Sequence, residues 1–281
     1  MNLGVNMKKY LLGLLASCVF GGVLMAQDIF PISREMGSGT RGAFVEIFGI
    51  QKEVRNKKVD ATTQKAEVTN STGVMMTTVA NSANSIGYIS LGSLNDTIKA
   101  VSIDGVSPSV QNINNKTYGI SRPFNVVTKT MNPVIEDFLK YALSKEAKGI
   151  VEKAGYISVA KDSYASTKPS GKIIIAGSSS VTPLMEKLKE SYEKINPNVE
   201  IEIQQSDSTT GVNSVVEGIA DIGMASREIK ESELKKGINT QVLAIDGLAV
   251  IVNKENPISN LKKEDVRKIF LGEITSWEQV K

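Results

Sequence analysis

Histidine is absent from all 281 residues, and cysteine occurs once, at Cys18. Without histidine, a Ser-His-Asp triad, a Cys-His dyad and the usual zinc sites are excluded. A lone cysteine forms no disulfide within the chain. Neither sign of charge dominates, since 33 basic and 30 acidic residues leave a net charge of +3. The first 26 residues hold Lys8, Lys9 and no acidic side chain, so the remainder is close to neutral. Nucleic acid calls for a basic stripe, and no nucleic-acid partner is expected here. An anion, if bound, must be held by a local site. No cofactor and no metal are expected.

Long hydrophobic runs are also missing beyond the first: Tyr10 to Ala26 is almost wholly apolar and follows Met7-Lys8-Lys9. A positive start, a short apolar stretch and a small residue at its end form an export signal covering residues 1–26. Leu15-Ala-Ser-Cys18 also fits a lipoprotein box, which would lipidate Cys18, and a retained anchor helix is the third reading. After it, 41% apolar and 22% charged residues give an ordinary globular composition.

Apolar strand-like runs alternate with amphipathic helical ones. Ile29 to Ser33 is expected as a strand, 40–48 as helix, 51–66 as helix and surface loop, 72–80 as helix, and 86–91 and 98–103 as strands. Two helices are expected over 132–142 and 145–154, then a linker at 160–172. Strands follow at 172–176, 199–204, 222–224, 242–245 and 248–252, with helices at 182–195, 211–218 and 262–270. The fold class is therefore α/β, with sites at the C-terminal ends of strands.

Three strand-to-helix turns share one chemistry. The first carries Ser38, Gly39 and Thr40, the second Ser178, Ser179 and Ser180, the third Ser208, Thr209, Thr210 and Gly211. Hydroxyls and free amides at a helix N-terminus donate hydrogen bonds to an anion, and the helix dipole favours negative charge. Arg34 and Arg227 offer planar, two-pronged partners for an oxyanion. Plain capping explains any one such turn; three in one chain point to a shared oxyanion site. Gly37-Ser-Gly39-Thr-Arg-Gly42 also matches G-x-G-x-x-G, with Asp60 further on as ribose partner. That reading would make the chain a nucleotide-dependent enzyme, but the segment before Asp60 is a poor second strand.

In combination, Ser33-Arg-Glu-Met-Gly-Ser-Gly-Thr-Arg-Gly-Ala-Phe44, Ile86-Gly-Tyr-Ile-Ser-Leu-Gly92, Ile120-Ser-Arg-Pro-Phe124, Gly177-Ser-Ser-Ser-Val-Thr-Pro-Leu184, Ala220-Asp-Ile-Gly-Met-Ala-Ser-Arg-Glu228 and Ile269-Phe-Leu-Gly-Glu-Ile-Thr-Ser-Trp277 resemble the periplasmic phosphate-binding proteins of ABC importers. The likeness spans nearly everything after residue 27. Its order is inverted, because S-x-S-V-T-P opens that family and R-x-x-G-S-G-T comes near its middle. The chain thus resembles a circular permutant, or a junction of two tandem gene copies.

The resemblance implies a two-lobed, type II-like periplasmic-binding-protein fold with hinge strands. Residues 28–92 plus 254–281 would form one lobe and 93–253 the other, with inorganic phosphate between them. It implies contacts from Arg34, Ser38, Gly39, Thr40, Ser179, Ser180, Val181 (through its N–H), Ser208, Ser226 and Arg227. It also implies delivery to ABC permease subunits by a non-enzymatic, exported monomer. Family members often place an Asp where Ser226 stands, as acceptor for the proton of hydrogen phosphate. With serine there, sulfate or molybdate stay open as ligands, and Asp207 is the alternative acceptor.

Overall fold

A computed structural model describes residues 28–280. The export signal and the Cys18 box lie outside the described residues. The first part of the chain runs β1 (Phe30–Arg34), α1 (Gly39–Phe48), β2 (Gln51–Val54), β3 (Lys57–Asp60), β4 (Glu67–Thr69), α2 (Thr72–Ala80) and β5 (Ser85–Ser90). Next come β6 (Ile98–Ala100), β7 (Ser102–Ile103), α3 (Val110–Asn114), β8 (Ser121–Thr128), α4 (Pro133–Ala142), α5 (Lys145–Lys153) and β9 (Ile157–Ser158). The rest is β10 (Gly171–Ser178), α6 (Thr182–Ile195), β11 (Val199–Ser206), α7 (Ser208–Val216), β12 (Ile222–Ala225), α8 (Glu231–Leu234), β13 (Asn239–Asn253), β14 (Asn260–Leu261) and α9 (Lys263–Leu271).

One sheet runs through both halves of the molecule in the order β11-β10-β12-β8-β13-β5-β1-β4. Each end is parallel, β11-β10-β12 on one side and β5-β1-β4 on the other. The antiparallel strands β8 and β13 join them. Parallel strands are covered by helices on their faces. Accordingly α4, α5 and α6 bury Phe138, Tyr141, Leu184 and Leu188 against Ile173, Ile175 and Ile201, while α1 and α9 bury Phe44, Phe48 and Phe270 against Tyr88 and Val250.

Two apolar cores result, and the chain passes between them near residue 121 and again near residue 246. The unit boundaries expected from the sequence lie at 93 and 253. Ile98, Val101, Ile103, Tyr118 and Ile120 pack with the first core, as do Leu248, Val250 and Val252. The reason is that β6 pairs with the far end of β13, and the Tyr118 hydroxyl donates to the Leu248 carbonyl at 2.8 Å.

Three segments depart from expectation. Residues 51–66 contain the β2–β3 hairpin rather than a helix, turning at Arg55 and Asn56 with φ of 50° and 61°; two positive φ values match the right-handed twist of the flanking strands. Residues 242–252 form one strand, β13, with a register shift between Val242 and Ala244 that bends it from one core to the other. Strand β8 was masked by Pro123. On β8, β12 pairs with Asn125, Val126 and Val127, so Pro123 lies beyond that pairing and, among the described residues, is flanked by β13 alone.

The 160–172 linker has no helix or strand before Gly171, yet it is pinned. The Asp137 carboxylate accepts from Tyr164 Oη (2.6 Å), Thr167 N (2.9 Å), Thr167 Oγ1 (2.7 Å) and Tyr192 Oη (2.8 Å). Burial by itself would raise this carboxyl, but the hydrogen bonds outweigh it and hold it below its ordinary value. The unfolded chain therefore takes up this proton first as pH falls. The stability that the group supplies is complete above its unfolded value and is lost as pH drops through the lower folded one. Asp137→Asn is expected to lose about 3 kcal/mol in urea unfolding at pH 7, since it strands several buried donors. The gap to the parent protein should shrink below about pH 4; a gap that is absent at pH 7 would contradict this.

Candidate oxyanion site

The N-termini of four helices meet where the two halves touch. Ser38 caps α1 by accepting from Arg41 N (3.3 Å), Ser71 caps α2 by accepting from Val74 N (3.2 Å), and Asp207 caps α7 by accepting from Thr210 N (2.9 Å). The Ser178–Ser180 turn leads into α6. Each follows a parallel strand, so chain direction alone aims four sets of amides at one point.

Hydroxyls line that point. Thr40 Oγ1 and Ser180 Oγ share a hydrogen bond of 2.8 Å across the two halves, and Thr72 Oγ1 bonds Ser180 Oγ at 3.0 Å. Ser226 Oγ sits at the centre, 2.9 Å from Ser178 Oγ, 3.4 Å from Ser208 Oγ and 3.5 Å from Thr40 Oγ1. The Ser226 N–H donates to Ser208 Oγ at 3.0 Å. All are buried, with Ser180, Ser208 and Ser226 at 0% exposure. A hydroxyl rotates to donate or accept, so the set can turn its protons together toward an entering oxyanion.

One guanidinium faces this cluster. Arg34, 2% exposed, reaches Thr72 Oγ1 with Nη1 (3.4 Å) and Ser179 Oγ with Nη2 (3.2 Å). Its other edge is held two-pronged by Glu35, from Nε (2.8 Å) and Nη2 (2.7 Å). Glu35 thus fixes the plane of the group and leaves one edge for the cleft. The end of β1 is fixed too, because Arg34 N donates to Tyr88 Oη (3.2 Å), whose ring stacks on Phe44 with centroids 3.8 Å apart.

Backbone closeness completes the site. A Cβ at Gly39 would lie 2.3 Å from Ser208 Oγ and 2.8 Å from Ser226 Oγ. Beside it, Gly37 O accepts from Thr209 N (3.2 Å) and Thr209 Oγ1 (3.0 Å), latching the two halves together. On the far wall, Gly211 lets α7 lie on β10, since a Cβ there would come within 2.6 Å of Gly177 Cα.

The structure brings Arg34, Gly39, Thr40, Ser179, Ser180, Ser208 and Ser226 together. It turns Arg227 away, whose guanidinium pairs with Glu233 at 2.8 and 2.7 Å. Burial would raise the Glu233 carboxyl; Arg227 and the Lys230 N–H bring it below its ordinary value. Ser38 serves its own helix. Val181 buries its side chain, and its N–H goes to Ser178 O at 3.0 Å, closing the turn instead of facing the cluster. Asp207, the alternative acceptor, is committed to Thr210 through both carboxylate oxygens.

Thr72 is the member of the cluster that the sequence reading leaves out. For Thr72 the signal was present: Thr69-Asn-Ser-Thr72-Gly is a fourth hydroxyl-rich strand-to-helix turn, hidden because β4 has only three residues. Asp60 accepts from Arg41 Nε (2.7 Å) and from Thr62, so it is not free to hold a ribose, and the G-x-G-x-x-G reading loses its acid.

Residues 162–281 match the model of a PBP superfamily domain. The phosphate-binding protein PstS 2 of Streptococcus agalactiae is 50% identical over 274 residues, 96% of this chain and 94% of the relative. A crystal structure of a phosphate ABC transporter, phosphate-binding protein from Streptococcus pneumoniae is 42% identical and covers 90% of this chain and 100% of its own, with a TM-score of 0.71. The PstS of Bacillus subtilis matches over 115 residues only, at 33% identity, 40% of this chain and 38% of the relative. With half of its residues identical across nearly the full length of a relative, the chain belongs to the PstS family of phosphate-binding proteins.

Proposed function

We propose that this protein captures inorganic phosphate between its two halves and delivers it, outside the cytoplasm, to the permease of an ABC transporter. The observation that carries the reading is the convergence of Thr40 and Thr72 from one half with Ser178, Ser180, Ser208 and Ser226 from the other beside the Arg34 guanidinium. Four helix N-termini add amides and positive dipole ends. The protein acts as a monomeric binder, not an enzyme, is exported by residues 1–26, and takes a lipid only if Cys18 is the processed residue. Its segment order is permuted relative to relatives such as the Bacillus subtilis protein, whose match is confined to one stretch. Compatible with this, Ile29 N donates to Thr275 O at 2.8 Å, so the segments around residues 28 and 276 lie side by side. Isothermal titration is expected to give one phosphate per chain at micromolar affinity or tighter; no heat of binding would refute the reading.

Selectivity is a separate matter. Among the described residues no carboxylate oxygen joins the hydroxyl cluster, since Asp207 caps α7 and Glu35 holds Arg34. A carboxylate rejects sulfate because two acceptors would meet, whereas a serine hydroxyl rotates to suit either anion. Sulfate should therefore compete measurably with phosphate in the parent protein. Ser226→Asp should raise the phosphate-to-sulfate affinity ratio about tenfold or more, equivalent to roughly 1.4 kcal/mol. An unchanged ratio in competition titrations would show that discrimination lies elsewhere.

A further inference from the structure

A second polar cluster, away from the hydroxyls, sits at the crossing between the halves. Arg122 on β8 and Asp246 on β13 are direct cross-strand partners, one step from the Ser121–Gly247 pair where the chain passes from one core to the other. Both are buried, at 4% and 0% exposure. Arg122 Nε and Nη2 each donate to Asp246 Oδ2 at 3.1 Å. The remaining arm, Nη1, donates to the backbone carbonyl of Ser226 at 2.9 Å. Ser90, from the first half, donates to Asp246 Oδ1 at 2.8 Å. The network thus starts in one half, passes both crossing strands, and ends on the central hydroxyl residue of the oxyanion site.

Such a pair is not explained as a stabiliser. Removing two charges from water costs several kcal/mol per ion, and apolar packing would often serve stability equally well. A guanidinium that divides its arms between a carboxylate and one particular carbonyl fixes that carbonyl in place.

We propose that the Arg122–Asp246 pair is a positioning device, which holds the Ser226 backbone so that its hydroxyl and N–H face the anion when the halves close. Neither residue belongs to the hydroxyl cluster; Arg122 acts through Ser226 and Asp246 acts through Arg122.

The other groups facing the pair are few. The Gly92 amide favours the ionised Asp246 carboxyl, Tyr156 and Asp246 affect one another's titration, and the Arg34 charge acts on Arg122. Phe124 lies under the guanidinium, 5.4 Å from its ring centroid. The Tyr156 hydroxyl is buried without a partner among the described residues, and burial pushes it up to about 12, so it stays protonated. Burial pushes the Asp246 carboxyl up to about 6, against the pull of Arg122, Ser90 and Gly92. The positioning form, with Asp246 ionised, is therefore lost as pH falls through about 6.

Phosphate titrations of the parent protein, Asp246→Asn and Ser90→Ala from pH 5 to 8, each with a melt without ligand, test the proposal. The inference rests on the phosphate reading, and the parent protein tests that reading alone: no phosphate uptake by the parent overturns both. With a binding parent, Asp246→Asn should bind about tenfold more weakly at pH 7.5. The ratio to the parent should approach one at pH 5, where the parent is protonated as well. Comparing ratios cancels the titration of phosphate itself. A ratio independent of pH marks general damage and overturns the proposal. So does equal or tighter binding, the result expected if Asp246 acted only by its negative charge. Ser90→Ala keeps both charges and decides the matter if Asp246→Asn does not fold. It should bind at least threefold more weakly in a window just above pH 6, because its carboxyl loses a hydrogen bond that favours ionisation. A ratio of one throughout overturns the proposal.

Discussion

Gly39→Ala is expected to weaken phosphate binding at least ~100-fold without unfolding either half. The added Cβ would fall 2.3 Å from Ser208 Oγ, 2.8 Å from Ser226 Oγ and 3.0 Å from the Ser226 carbonyl carbon. The two hydroxyls under 3 Å are fully buried, and the backbone carbon at 3.0 Å cannot turn aside, so a small side-chain rotation does not relieve the crowding. The relief is for the halves to part, which separates Thr40 from Ser180 and removes Gly37 O from Thr209. Within its own half the change is mild, because Gly39 opens helix α1 with no positive φ and alanine is the better helix former, by up to about 1 kcal/mol. The expected result is a melt without phosphate within a few degrees of the parent, no upward shift on adding phosphate, and affinity at least ~100-fold weaker, about 2.7 kcal/mol. Parent-like affinity would mean that the hydroxyls of the two halves need not meet for binding.

Arg34→Gln is the second large effect. Three buried arginines lie around the cleft, and two are already matched, Arg122 by Asp246 and Arg227 by Glu233. Of these three, Arg34 turns an edge to the hydroxyl cluster, through Thr72 and Ser179, while Arg227 reaches Thr209 Oγ1 at 3.3 Å. A hydrogen bond involving a charged group contributes about 1.5–3 kcal/mol. Losing it also leaves Glu35 unpaired beside an arriving anion, and that repulsion adds to the loss. Affinity should fall about 100-fold or more. The pair Arg34→Gln with Glu35→Gln should recover part of that loss, because the bare carboxylate is gone. Titrations that place Arg34→Gln within threefold of the parent would remove Arg34 from the site, and failure of the double variant to recover would remove the Glu35 repulsion.

Much of this site is legible in the chain before folding. Ser38-Gly39-Thr40, Ser178-Ser-Ser180 and Ser208 each announce a helix N-terminus after a strand, and parallel topology aims such termini at one end of the sheet. What is not legible is which of two similar arginines faces the ligand. Arg34 and Arg227 both follow strands beside a hydroxyl turn. Glu233, brought back by the short helix α8, takes two bonds from Arg227, whose remaining donations go to Glu228 O and Thr209 Oγ1, whereas Glu35 claims only one edge of Arg34. The same limit applies to Val181, whose N–H closes a turn that no local pattern requires. In the fold, strong alternation reveals the parallel strands, but β8 carries a proline and the β2–β3 hairpin is charged at six of its ten positions. Both are decided by their neighbours in space.

The most direct measurement is a crystal structure of the protein with phosphate. The anion should lie between the halves, accepting from Thr40, Thr72, Ser180, Ser208 and Ser226 and from the free edge of Arg34, with Arg227 still on Glu233. Phosphate bound outside this cluster, or at it with Arg34 turned away, would contradict the account.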